Sequence, residues 1–311
     1  MTDADRETFL AEALAGLADD PPTLPCKYFY DARGSRLFER ICGLPEYYPT
    51  RTERAILTAH ADAMAEACGR GGCLIEPGAG SGEKTRIVLR AFQTRLYVPT
   101  DISGPYLRDV AEQIAADFPD CEVRPVVGDF TRTLRLPEEA ERFGSRTLFF
   151  PGSTIGNFAP TRAAELLAGW RPLIGEGGSM LVGLDVVKDA ATLEAAYDDA
   201  AGVTAEFNGN LLVRLRDDLG ADVDPDGFTH RAVWNAEKSR VEMHLVSRRD
   251  QTVLLGGRDF DFPAGSLIHT ENSHKFTDAM VDAMAAEAGL RVADRWTDDD
   301  GLFAVVRLVP A

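Results

Sequence analysis

The sequence predicts an α/β protein, a largely parallel sheet with helices on both faces, joined to a second α+β domain. Three observations predict it. In Cys73–Thr85 the apolar run Cys73-Leu74-Ile75-Glu76-Pro77 is followed by alternating Gly78, Gly80 and Gly82 and then by an amphipathic segment, the order strand, glycine turn, helix. From that turn to about residue 200, strand-like and helix-like segments alternate, which favours parallel strands joined by helices. Between about 202 and 263 the texture changes, and Val233-Trp234, Val241–Val246 and Val253–Leu255 read as short antiparallel strands.

Residues 1–50 precede the alternation, with a short helix, prolines at 21, 22 and 25, and the aromatic piece Tyr28-Phe29-Tyr30-Asp31. Thr50 and Glu53 stand in capping-box spacing ahead of Ala55, Ile56, Ala59, Ala63 and Met64, which recur at helical period and predict a helix over 51–68. Beyond the glycine turn the pattern predicts helices over 83–92, 104–118, 160–172 and 189–200, and strands over 95–100, 121–127, 146–151 and 178–184. A helix over 275–288 and strands over 291–296 and 302–309 return to the edge of the sheet. The expected division is a core of 51–190 plus 275–311 and a second domain or large insertion of 1–50 plus 191–274.

The 311 residues, 45% of them apolar, suffice for one large or two ordinary domains with a buried core. A formal charge of −17 argues against nucleic acid and anionic membranes as partners, because binding to phosphates relies on clustered Lys and Arg; a small-molecule substrate remains. Met1-Thr2-Asp3-Ala4-Asp5 lacks a basic and apolar leader, and no apolar stretch reaches the ~18 residues of a spanning helix, which predicts a cytoplasmic protein. Cys26, Cys42, Cys68, Cys73 and Cys121 are odd in number and contain no C-x-x-C pair, as expected of reduced thiols.

Glycines without a Cβ let a ligand pack directly on the backbone at a strand end. Gly78–Thr85 matches a P-loop except at its sixth position, where Glu83 would set a carboxylate against phosphates. The spacing of Gly78, Gly80 and Gly82 also differs from the dinucleotide fingerprint. S-adenosylmethionine carries no phosphate and suits the turn. Asp101 lies 23 positions beyond Gly78, about where a carboxylate accepts from ribose hydroxyls. Asp129-Phe130, after Val126-Val127-Gly128, suits an adenine amine and its ring, and Pro151–Asn157, after Leu148-Phe149-Phe150, would face the reacting centre. His269-x-Glu271-x-x-His274 does not have the i, i+4 spacing of paired helical ligands, and no metal is expected there.

Six segments strongly resemble the histidine-specific methyltransferases of ergothioneine biosynthesis: Tyr28–Ser35, Leu44–Glu53, Gly80–Thr85, Gly152–Asn157, Ala196–Thr204 and Glu271–Phe276. The resemblance, from about residue 25 onward, implies a class I (Rossmann-like) methyltransferase core with a second, substrate-binding α+β domain. It also implies trimethylation of the α-amine of L-histidine to hercynine, with S-adenosylmethionine as cofactor. By the same resemblance Gly78, Lys84, Asp101, Asp129 and Phe130 bind the cofactor. Glu271 and Ser273 hold the imidazole; Tyr47, Asn157 and Tyr197 surround the amino-acid backbone; Tyr30, Gly152 and Met243 match further pocket positions. Tyr30 and Asn157 are the expected catalytic residues, Tyr30 guiding the leaving proton directly or through water. One departure is Glu76-Pro77-Gly78-Ala79-Gly80, where relatives usually have Glu-Leu-Gly-Ser-Gly; Pro77 removes an N–H and Ala79 a hydroxyl, so contacts near 77–79 are expected to differ. A monomer is expected. The alternatives are an N-methyltransferase of another amino acid or small amine, and a non-catalytic sensor of S-adenosylmethionine or histidine.

Overall fold

The structure, a computed structural model, describes residues 3–311; Met1 and Thr2, on which the expectation of a leaderless start partly rests, lie outside the described residues. The elements begin with α1 (Asp3–Leu17), α2 (Ala32–Cys42), α3 (Tyr48–Cys68), β1 (Cys73–Pro77), α4 (Glu83–Phe92), β2 (Leu96–Asp101) and α5 (Gly104–Asp117). They continue with β3 (Glu122–Val123), β4 (Val126–Val127), β5 (Arg146–Phe150), α6 (Pro160–Ile174), β6 (Ser179–Asp185), α7 (Ala190–Tyr197) and α8 (Val203–Leu219). Five strands follow, β7 (Phe228–Asn235), β8 (Arg240–Ser247), β9 (Gln251–Leu255), β10 (Arg258–Phe262) and β11 (Leu267–His274), and then α9 (Asp278–Glu287), β12 (Leu290–Thr297) and β13 (Phe303–Pro310). These elements fall into two compact units: residues up to Tyr48 with Lys188–His274, and Pro49–Val187 with Lys275–Ala311.

The second of these units holds one sheet in the order β12-β13-β6-β5-β1-β2-β3, with β4 also paired to β2. β1, β2, β5 and β6 run parallel, while β13 is antiparallel to both β6 and β12. Strand order reverses at β1, so the glycine turn leaves the sheet at its switch point, where α/β sheets collect ligands. Side chains of β1 alternate between two cores. Cys73 and Ile75 pack with Phe150, Trp170, Val281, Met284 and Val306, and Leu74 packs with Ile56, Leu57, Val88, Leu89, Tyr97 and Phe149. Covering both faces is why these strands read as continuous apolar runs.

Several elements differ from the sequence expectation, α2 among them. The strand expected over 121–127 is divided into β3 and β4, because Pro125 has no N–H to donate to a ladder. The helix expected over 275–288 begins at Asp278, capped by Thr277 Oγ1, which accepts from Met280 N at 3.3 Å. The helix expected over 189–200 ends at Tyr197 because Asp199 serves the next one: its carboxylate accepts from Val203 N at 2.9 Å and Thr204 N at 2.7 Å. That next helix, α8, was not expected.

The first unit holds the antiparallel sheet β11-β8-β7, the hairpin β9-β10, and helices α1, α2, α7 and α8. The β11–β8 ladder contains a register shift: His269 pairs with His244, but Glu271 pairs with Met243. Residues two apart on a strand normally share a face, so one extra residue, Thr270, sends His269 and Glu271 to opposite faces. Thr270 is buried, and its hydroxyl donates to Met243 O at 3.0 Å, which pins the bulge.

Candidate active site

The glycine turn is built for close backbone approach. Gly78, Gly80 and Gly82 have φ of 70°, 50° and 71°, values that disfavour a side chain, and a Cβ on Gly78 would come within 3.2 Å of the Phe130 ring. Gly78 N and Ala79 N both donate to Thr100 O, at 2.8 and 3.0 Å, which ties the turn to the residue before Asp101 and supplies donors beside Pro77, which has none. Asp101 Oδ1 accepts from Ser103 N at 2.8 Å, while Gly128 N donates to Asp101 O at 2.9 Å and so holds the strand end that leads to Asp129. Asp129 Oδ1 accepts from Thr131 N at 2.9 Å and Thr131 Oγ1 at 2.6 Å. Gly78, Asp101, Asp129 and Phe130 thus stand on one connected rim, with a turn free of side chains and carboxylates at two neighbouring strand ends. Those carboxylate acceptors fit a nucleoside, whose ribose hydroxyls and exocyclic amine donate. Burial raises the Asp101 carboxyl above its ordinary value. Asp101→Ala is expected to weaken S-adenosylmethionine binding more than tenfold, since a hydrogen bond to a charged acceptor contributes roughly 1.5–3 kcal/mol. Unchanged affinity in calorimetric titration of the folded variant would remove Asp101 from the site.

Glu53 is a residue that the sequence reading misplaced. It lies within α3, which starts at Tyr48, and not at a capping box. Fully buried, its carboxylate accepts from Gly152 N at 3.0 and 2.8 Å and pairs with Lys84 Nζ. Gly152, just beyond β5, has φ of 82°, and a Cβ on Gly183, within β6, would strike Glu53 Oε1, so a glycine in β6 makes room for this carboxylate. Glu53 therefore fixes Lys84 against the loop that carries Asn157, which ends the short 3₁₀ turn Thr154–Asn157.

Below the glycine turn, Glu76 is buried and accepts from Tyr97 OH at 2.5 Å and Thr85 Oγ1 at 3.0 and 2.8 Å. Burial pushes its carboxyl up to about 8, against lowering by Tyr97, Thr85 and Lys84. A folded pKa above the unfolded 4.5 means that this group's contribution is full below pH 4.5 and is lost as pH rises through about 8. Stability should fall across that window by up to about 1.4 kcal/mol per pH unit. Glu76→Gln should flatten the dependence. Identical pH profiles of thermal unfolding for both proteins between pH 5 and 8 would show that Glu76 is not protonated in the fold.

In the other unit, Tyr30, Tyr47, Tyr197, Met243, Glu271 and Ser273 come together. Asp31 caps α2 by accepting from Gly34 N at 2.7 Å and also accepts from Asn210 Nδ2 at 2.8 Å; a Cβ on Gly34 would collide with Phe29 O. Asp31 and Gly34 thus hold the local backbone, which sets Tyr30 beside Phe38 and Phe207, with ring centroids 5.7 and 5.6 Å away. Tyr47 meets Tyr197 edge to face at 6.2 Å, and the Tyr197 hydroxyl lies 2.7 Å from Ser273 Oγ. Ser273 and Glu271 share the sheet face of Met243. Tyr30 keeps 43% of its surface accessible, yet desolvation, and after it the Glu271 charge, push its phenol well above the ordinary value. Part of Tyr30 is open to ligand or water while its hydroxyl stays protonated at neutral pH. Tyr47 is raised well above its ordinary value in the same way, by burial first and then by Tyr197. Glu271 lies inside β11 and is not a helix cap, a role that belongs to Thr277.

The opposite face of the same sheet carries His244, His269 and Glu242. His269 meets an imidazole from a neighbouring strand, His244, and not His274 of its own strand, so spacing along the sequence does not show the pair. Burial lowers both imidazoles, His269 to about 4, where the neighbouring His244 adds to the effect.

A parallel sheet reversing at its glycine-turn strand, an antiparallel strand inserted beside β6, and carboxylates on consecutive strand ends define a class I S-adenosylmethionine-dependent methyltransferase. The model of the family described as "Histidine-specific methyltransferase, SAM-dependent" matches residues 9–310, and the chain belongs to that family. It is 43% identical over 310 residues to the histidine N-alpha-methyltransferase of Mycolicibacterium smegmatis, covering 97% of this chain and 95% of the relative. It is 42% identical over 309 residues to the protein of the same name from Mycobacterium tuberculosis, with the same coverage of 97% and 95%. An L-tryptophan methyltransferase of Psilocybe serbica is 28% identical over 330 residues, covering 96% of this chain and 92% of that one.

Proposed function

We propose that this enzyme methylates the α-amino group of L-histidine three times to give hercynine, a step of ergothioneine biosynthesis. The observation that carries this reading is Glu271, a carboxylate turned by the β-bulge onto a face shared with Ser273 and Met243 and surrounded by tyrosines. An imidazole N–H needs such an acceptor, and an indole or phenyl side chain would leave some of these polar groups without a partner.

Bound S-adenosylmethionine supplies an electrophilic methyl group on a sulfonium. Gly78, Asp101, Asp129 and Phe130 would hold its nucleoside, with Lys84, fixed by Glu53, as a further cofactor contact. Glu271 and Ser273 orient the imidazole, while Tyr47, Tyr197, Asn157 and Gly152 restrain the amino-acid backbone, so the amine is presented in one orientation; positioning of this kind supplies most of the rate. The α-amine has a pKa of about 8, so a minor fraction is neutral at pH 7 and no strong base is needed. Tyr30, held as a neutral phenol, accepts a hydrogen bond from the amine and passes its proton to water. Three protons leave for three methyl groups added, and the nitrogen ends as a quaternary ammonium with none left to lose.

The substrate is small, the charge of −17 disfavours nucleic acid, and among the described residues no helix is long and apolar enough to cross a membrane. We infer a cytoplasmic monomer. Incubation with labelled S-adenosylmethionine and the twenty amino acids, followed by mass spectrometry, tests the reading. Trimethylated histidine is expected; methylation of tryptophan or another amino acid in its place, or no product, would overturn it.

A further inference from the structure

We infer that Glu242, His244 and His269 form a binding site for a divalent transition cation of the zinc type, on the face of the β7-β8-β11 sheet opposite Glu271. The three donors come from two adjacent strands, and their ligand atoms lie within 4.8 Å of one another. Glu242 Oε2 is 3.4 Å from His244 Nε2, and the two imidazole rings meet edge to face with centroids 4.9 Å apart. Among the described residues His244 Nδ1 and His269 Nε2 have no hydrogen-bond partner, and both atoms are buried, His244 being only 7% exposed. An unsatisfied buried polar atom destabilises a fold by roughly 1–3 kcal/mol, so an orphaned nitrogen on each of two neighbouring imidazoles points to a ligand.

Two imidazoles and a carboxylate are the donors of open zinc sites, which leave a fourth position for water or an anion. Bonds of about 2.0–2.2 Å require donors somewhat closer together than 4.8 Å, a change within reach of side-chain rotation. The carboxylate is already oriented: Arg240 Nε and Asn235 Nδ2 both donate to its Oε1, at 2.8 and 3.1 Å, leaving Oε2 toward His244. The cluster borders a cavity of about 560 Å³ that Arg231, Trp234 and Lys238 also line. The two imidazole nitrogens disfavour hard ions such as Mg²⁺ or Ca²⁺, which prefer oxygen donors, and Arg231 and Lys238 favour an anion as the fourth ligand.

The test uses untagged, chelator-stripped protein titrated with Zn²⁺ in competition with a chromophoric chelator, and with Co²⁺ read by its visible d–d bands. One equivalent should bind, and His269→Ala and Glu242→Gln, each shown to be folded by circular dichroism, should weaken binding at least tenfold and abolish the cobalt bands. His269→Gln serves if the alanine variant does not fold. Glu271→Ala should bind the ion as the parent does. Absence of stoichiometric binding, unchanged affinity in the His269 variants, or loss of the ion in Glu271→Ala, which would place it in the substrate pocket, overturns the proposal.

Discussion

Replacement of Glu271 by Ala should lower the ratio of kcat/KM for histidine to that for phenylalanine by about 10²-fold or more. A site that hydrogen-bonds a substrate N–H can reject analogues lacking it by about 10⁴. Removing the acceptor removes the basis of that discrimination. Glu271 stands in the middle of β11, next to Ser273, and its charge acts on Tyr30, Tyr47 and Cys26. Turnover of histidine and phenylalanine, measured in both proteins, decides the matter. An unchanged ratio would mean that the imidazole lies elsewhere.

Lys275→Ala should destabilise the protein by roughly 3–5 kcal/mol, because it leaves a buried carboxylate without its partner. Lys275 Nζ lies 2.7 Å from Asp185 Oδ2, and both side chains are fully buried. Asp185 also anchors local backbone: its N–H donates to Ser153 Oγ at 3.0 Å and its carbonyl accepts from Phe276 N at 2.9 Å. Urea unfolding should show the loss, and the double variant Lys275→Met, Asp185→Leu should recover most of it. A cost below about 1 kcal/mol for the single change would show that water reaches the pair.

Much of the sheet was legible because its signals are local. Runs such as Leu74-Ile75 and Phe149-Phe150 are buried on both faces, and Gly78–Gly82 mark the turn. Helix α8 was hidden by its own buried polar residues. Asn208 contacts His230 Nδ1 and donates to His244 O, and Asn210 donates to Asp31 Oδ1, so positions that would be apolar in an ordinary helix are amides. Glu53 escaped for a related reason, since a carboxylate in a helix reads as surface or cap, and only the folded sheet brings Gly152 and Lys84 to it. The grouping of Glu271 with Tyr47 and Tyr197 came from resemblance and not from periodicity. Strand β11 itself has no clean alternation, because Thr270 interrupts it.

That interruption restricts how this enzyme can diverge. Loss of Thr270 alone would close the bulge and leave His269 opposite His244 and Glu271 opposite Met243, but a one-residue deletion beyond it would turn everything on one side by half a repeat and carry Glu271 or Ser273 off the pocket face at one stroke. No intermediate length exists, so a lineage cannot approach a new substrate gradually by trimming this strand. Changes of preference must instead come from replacing side chains at fixed positions such as 271 and 273; libraries that insert or delete a residue within 271–274 should yield inactive proteins almost without exception, whereas loss of residue 270 alone should leave the pocket face intact.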